Sequence, residues 1–143
     1  MKVFQVITKE ALHKKSPEEI TALLYEALCV NLEQAMNAIE QKEFMEANHK
    51  LQKANDIVCR LGAGINYEAG IIADQLDNLY NYISDKIIEA NYTKEVRCVE
   101  EALKIVTELM SSWNKAMKNK DDAQTKANKR TANAYERNVL VDQ

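Results

Sequence analysis

Residues 16–28 read SPEEITALLYEAL and open on a strong helix start. Ser16 suits the N-cap, Pro17 the first helical position, and Glu19 completes a Ser-x-x-Glu capping box. Downstream, the apolar positions run around most of the helix circle. Between Ile20 and Ile39 the residues Leu23, Leu24, Tyr25, Ala27, Leu28, Cys29, Val30, Leu32 and Met36 extend an arc of roughly 250–280°, whereas a helix on one side of a core needs an apolar stripe only somewhat wider than ~100°. The surplus face must be covered by neighbouring helices or by a partner.

The same periodicity predicts three more helices. Helix 1 runs from Pro17 to about Gln41. A second begins near Glu43 and carries Phe44, Ala47, Leu51, Ala54, Ile57, Val58 and Leu61 on one face, with Gly62 and Gly64 near its end. A third, capped by Asn66, presents Ala69, Ile72, Ala73, Leu76, Leu79, Tyr80, Ile83, Ile87 and Ala90, with Asn91 as its left-handed C-terminal residue. Thr93 caps a fourth, with Val96, Val99, Leu103, Val106, Met110, Trp113 and Met117 along it. Short connections force successive helices to alternate direction. The expected fold is an all-α, antiparallel up-and-down four-helix bundle over 16–118, preceded by an N-terminal segment at 1–15. Residues 119–143 form a polar tail or a frayed helical extension.

Composition agrees. One proline and three glycines in 143 residues favour helix throughout, and 46% apolar residues suffice for a core. A net charge of −3 weighs against nucleic acid as a partner. Cys29, Cys59 and Cys98 are odd in number and widely spaced, which predicts small buried or half-buried thiols in a reducing compartment. The VFQVI stretch at the N-terminus is too short for a signal peptide, and no stretch approaches the ~20 apolar residues needed to span a bilayer. The expected location is cytoplasmic, without membrane insertion.

Catalysis finds no support. Both histidines lie in Glu-x-x-His spacing, Glu10 to His13 and Glu46 to His49, as in di-iron bundles. But His49 falls about 150° from the centre of its helix's apolar face, and His13 precedes the Ser16 cap. No nucleophile–base pair, phosphate-cradling loop or buried carboxylate pair is legible. No catalytic residue, metal site or cofactor is expected.

The apolar surplus remains. Ile71 and Tyr82 lie nearly opposite the Ile72/Leu76 line of helix 3, and Ile88 lies to one side. Helix 1 exposes either its Leu23/Val30 edge or its Tyr25/Cys29/Met36 edge. Together these eight residues are the candidates for a partner groove of the helix-in-groove kind. The alternative is a structural bundle whose extra faces build a homodimer or bind another helical partner.

The residues also carry a family resemblance. In order, Ser16-Pro17-Glu18-Glu19-Ile20, Leu24-Tyr25, Ala38-Ile39, Ala47-Asn48 and Leu51-Gln52-Lys53-Ala54 lead to Ile65-Asn66-Tyr67-Glu68-Ala69-Gly70. Leu76-Asp77-Asn78-Leu79-Tyr80-Asn81-Tyr82, Glu89-Ala90-Asn91 and finally Trp113 follow. From Ser16 to about Lys118 the chain resembles the flagellin export chaperones, the FliS family. That resemblance implies a non-enzymatic helical bundle in the cytoplasm. Its partner would be the disordered C-terminal segment of flagellin, kept from polymerising early and delivered to the flagellar export gate protein. Some relatives suggest an assembly factor or an anti-sigma factor as further partners. It also implies that Phe4, Val6 and Ile7, standing where the family usually has a tyrosine-containing segment, form a removable lid over the groove.

Overall fold

The computed structural model describes residues 15–66 and 70–141. Four helices follow one another: α1 (Pro17–Glu40), α2 (Phe44–Ala63), α3 (Ile71–Thr93) and α4 (Val96–Val141). Met1–Met110 forms one compact unit and Ser111–Gln143 a second.

Helix ends follow local chemistry. The Ser16 hydroxyl accepts the Glu19 backbone N–H at 3.2 Å, with Pro17 in the first turn. This is the start that the opening stretch predicts. α1 stops in a Schellman motif: the Glu43 N–H reaches the Ala38 carbonyl at 2.8 Å and the Lys42 N–H reaches that of Ile39 at 3.0 Å. Lys42, at φ 59°, occupies the left-handed position that glycine usually takes.

Two boundaries differ from the sequence expectation. α3 starts at Ile71 behind Gly70, whose φ of 67° turns the chain into the helix, so Asn66 does not cap it. Ala69 lies outside the described residues. At the other end the left-handed residue is Lys94 rather than Asn91, and its N–H meets the Ala90 carbonyl at 2.7 Å. The Lys94 ammonium folds back onto both the main-chain and side-chain oxygens of Asn91. These bonds offset the strain of a positive φ outside glycine. Thr93 ends α3, while its hydroxyl still accepts the Glu95 N–H at 3.3 Å.

Within the first unit the helices close a ring. α1 packs on α2 and α2 on α3. The Ser84 hydroxyl donates to Asn55 Oδ1 at 2.6 Å across the α2–α3 seam. Lys86 Nζ lies 2.9 Å from Glu101 Oε2 between α3 and α4. Thr107 of α4, whose hydroxyl donates to the Leu103 carbonyl at 2.8 Å, lies beside the Cys29 thiol of α1. Across the diagonal, the Tyr25 and Tyr80 hydroxyls meet at 2.5 Å. The core is filled by Leu28, Leu32, Leu51, Ile83, Ile87, Val99 and Val106, with alanines where helices approach closely, such as Ala35, Ala47, Ala54, Ala90 and Ala102.

The ring explains most of the wide arc of α1. Its buried residues run from Ala27 and Ala38 round to Tyr25 and Cys29, about 200° of the circle. Beyond the first turn, only the line of Glu26, Glu33, Asn37 and Glu40 stands in solvent. Phe44, expected on the core face of α2, is exposed at the helix start instead. In the second unit the backbone is helical to Val141; Trp113 and Met117 are half-buried there.

Candidate functional site

The exposed apolar surface concentrates on α3. Its buried line is Ala73, Tyr80, Ile83, Ile87 and Ala90. Beside that line, on the next ~100° of the helix, lie Ile72, Leu79, Tyr82 and Ile71. Ile71 is 76% exposed, Ile72 64% and Tyr82 42%, with Leu79 also in solvent. The Lys86 ammonium closes the C-terminal end of this strip, 5.6 Å from the centre of the Tyr82 ring and held by Glu101 and Glu89. Large aliphatic side chains left in water on one helix face mark an interaction surface more readily than scattered ones do.

The eight groove candidates divide. Ile71 and Tyr82 belong to the strip. Ile88 is 57% exposed on another side of α3, with Tyr92 one turn beyond it. Leu23, Val30 and Met36 are half-buried. Tyr25 and Cys29 are a correction: both are buried in the bundle, because α4 and the diagonal tyrosine contact cover that edge of α1. Of the two edges that the sequence left open, the Leu23/Val30 edge stays partly accessible, and of the other only Met36 does. The lid residues Phe4, Val6 and Ile7 lie outside the described residues.

Ile72 and Leu79 reverse the other way, since the sequence assigned them to the core. Spacing alone does not separate them, since Ile72 shares its helix direction with the fully buried Ala90, about five turns on. Tyr80, Ile83 and Ile87 centre the buried line well to one side of Ile72 and Leu79, which leaves room for a second apolar strip next to it.

The remaining motif positions have structural work. Ala54 is buried against its neighbours, Leu24 is half-buried and Lys53 points to solvent. Asn91 receives the Lys94 ammonium. The thiols lack reactive surroundings: burial pushes Cys29 and Cys98 above the ordinary range, which disfavours the nucleophilic thiolate. Cys59, expected to be at least half-buried, is exposed on α2. His49 is exposed as well, and His13 lies outside the described residues. Among the described residues no group of three His, Cys, Asp or Glu is placed to hold a metal, and no helix is long and apolar enough to cross a membrane.

Residues 4–120 match the profile of the family described as flagellar protein FliS. The chain belongs to the FliS family. Among its relatives, the flagellar secretion chaperone FliS of Vibrio cholerae is 28% identical over 111 residues, covering 77% of this chain and 82% of that protein. FliSB of Pseudomonas aeruginosa, also named a flagellar secretion chaperone, is 28% identical over 116 residues, or 80% of this chain and 92% of its own. The Salmonella typhimurium FliS is 27% identical over 111 residues, covering 76% and 82%. A crystal structure titled as a flagellar chaperone from bacteria superimposes with a TM-score of 0.69 at 20% identity. It covers 83% of this chain and 98% of its own, so this chain shares its helical-bundle fold.

Proposed function

We propose that this FliS-family chain is a cytoplasmic, non-enzymatic flagellar secretion chaperone whose client is the disordered C-terminal region of flagellin. The observation that carries the proposal is the strip of Ile71, Ile72, Leu79 and Tyr82, which stands in water beside a well-packed core. A client segment that gains helix on this strip hides its own apolar face, the face that flagellin subunits otherwise use on one another. Because the client orders as it binds, part of the interaction energy is spent on lost chain entropy. Release at the export gate is then possible without breaking an over-tight complex. Leu23, Val30 and Met36 on α1, and Ile88 on another side of α3, extend the candidate surface.

Polymerisation supplies the test. Purified flagellin seeded with short filaments should stop elongating when an equimolar amount of the chaperone is present. Elongation at an undiminished rate, with the chaperone folded by circular dichroism, contradicts the proposal. A chain beginning at Lys15 serves as the second arm. If Phe4, Val6 and Ile7 cover the groove, this shorter chain should bind the client more tightly than the full one.

A further inference from the structure

The α3 strip has an acidic border. On the side away from the core, the row Asp74, Asn78, Asn81 and Asp85 runs alongside Ile71 and Tyr82, all four residues exposed. Their spacings of four, three and four residues keep them on one line of the helix. The border is not balanced from within α3. Its sequence holds Asp74, Asp77, Asp85 and Glu89 against Lys86 as its one cation. Lys86 is engaged, 2.9 Å from Glu101 and 3.3 Å from Glu89, and lies at the far end of the strip. On α3 itself, the outer side of the apolar strip is thus bordered by acidic and amide side chains.

Resting on the chaperone function proposed above, we propose that the strip seats a cationic amphipathic helix, with Lys or Arg side chains of the occupant pairing with Asp74 and Asp85. The geometry sets the occupant's dimensions. Asp74 and Asp85 are eleven residues apart, about 16 Å along the axis, so the occupant needs at least three helical turns. Its apolar residues recur at i, i+3 or i+4, and i+7 to meet Ile72, Leu79 and Tyr82. Its cations lie on one border of that face. An anionic border of the same length is repelled by the row, so Asp74 and Asp85 select among apolar helices that the strip alone would not tell apart.

Two synthetic peptides decide this separately from the flagellin client. They share one leucine face at helical spacing and differ only in a border of lysines or of glutamates. The full chain should bind the lysine peptide several-fold more tightly than the glutamate peptide at about 50 mM salt, and the gap should narrow at about 500 mM. Asp74→Asn with Asp85→Asn should weaken the lysine peptide roughly two- to tenfold, as expected for two exposed ion pairs. Glu26→Gln with Glu33→Gln changes net charge equally on the outer line of α1 and should have a smaller effect. Leu79→Asp should abolish binding of both peptides while leaving the fold intact.

Equal binding of the two peptides overturns the inference, as does binding of neither, or an equal loss in the α1 control. So does a wild-type dimer that Leu79→Asp dissociates, since it assigns the strip to a second copy. Whether flagellin binds is read separately, with its own peptide.

Discussion

The hydroxyl of Tyr25 on α1 and that of Tyr80 on α3 meet at 2.5 Å in the middle of the bundle, with their ring centres 6.5 Å apart and tilted by 49°. Both rings are buried, so the contact supplies each hydroxyl with a polar partner away from bulk solvent. Tyr25→Phe removes that partner from Tyr80 and should cost about 1–3 kcal/mol in urea unfolding. Adding Tyr80→Phe should return part of the loss, because the stranded hydroxyl leaves with it. A double variant as unstable as the sum of the two single variants would contradict this coupling.

The same pair gives an alkaline limit. Burial, foremost, raises the ionisation of both tyrosines above the ordinary value, and the contact with Tyr80 raises Tyr25 further. The unfolded chain therefore loses these protons first, above about pH 10, and stability falls as pH rises beyond that point. Urea midpoints at pH 8 and near pH 11 should diverge in the wild type and diverge less in the double phenylalanine variant.

An opposite sign is expected at the α3–α4 seam. The hydrogen bond from Lys86 is the main cause holding Glu101 below the ordinary carboxylate range, with Arg97, 3.3 Å away, adding to it. Its stabilising effect is present above the unfolded value of about 4.3 and is lost as pH falls through the folded one. Glu101→Gln should flatten the acid side of the stability profile. An unchanged acid limb in this variant would show that the contact contributes nothing.

Two glycines should respond in opposite directions. Gly62 sits inside α2 with no atom within 4 Å of an added Cβ, so Gly62→Ala should stabilise by about 0.5–1 kcal/mol. Gly70 turns into α3 at φ +67°, and Gly70→Ala should destabilise by about 1–2 kcal/mol. Thermal melts of both variants check the pair.

Local sequence signals account for part of this architecture. The Ser16 start was legible because a cap is a matter of a few adjacent residues, and the alternation of helices followed from short connections. Lys42 and Lys94 carry no local signal for a left-handed turn; their conformations depend on the bonds made around them. The site was legible only in outline. A helical wheel reveals how wide an apolar arc is, but not where a neighbouring helix ends. Tyr25 and Cys29 therefore moved inward and Ile72 and Leu79 outward, although all four lie on apolar arcs.

Substituting the strip should separate binding from folding. Leu79→Asp and Ile72→Asp alter exposed positions and should shift stability by no more than about 0.5 kcal/mol. Each should weaken client binding at least about tenfold, as for a residue central to an interface. Tyr25→Ala should instead unfold the bundle in large part, since it leaves a cavity at its centre. A strip variant that binds like the wild type would move the client site elsewhere.

The central claim is most directly tested by titrating a flagellin C-terminal peptide into the full chain, with heat and circular dichroism recorded together. The account expects saturable heat at one peptide per chain and a gain in helix beyond the sum of the separate spectra, both lost in Leu79→Asp. No heat and no added helix, from a chain that melts cooperatively, would contradict it.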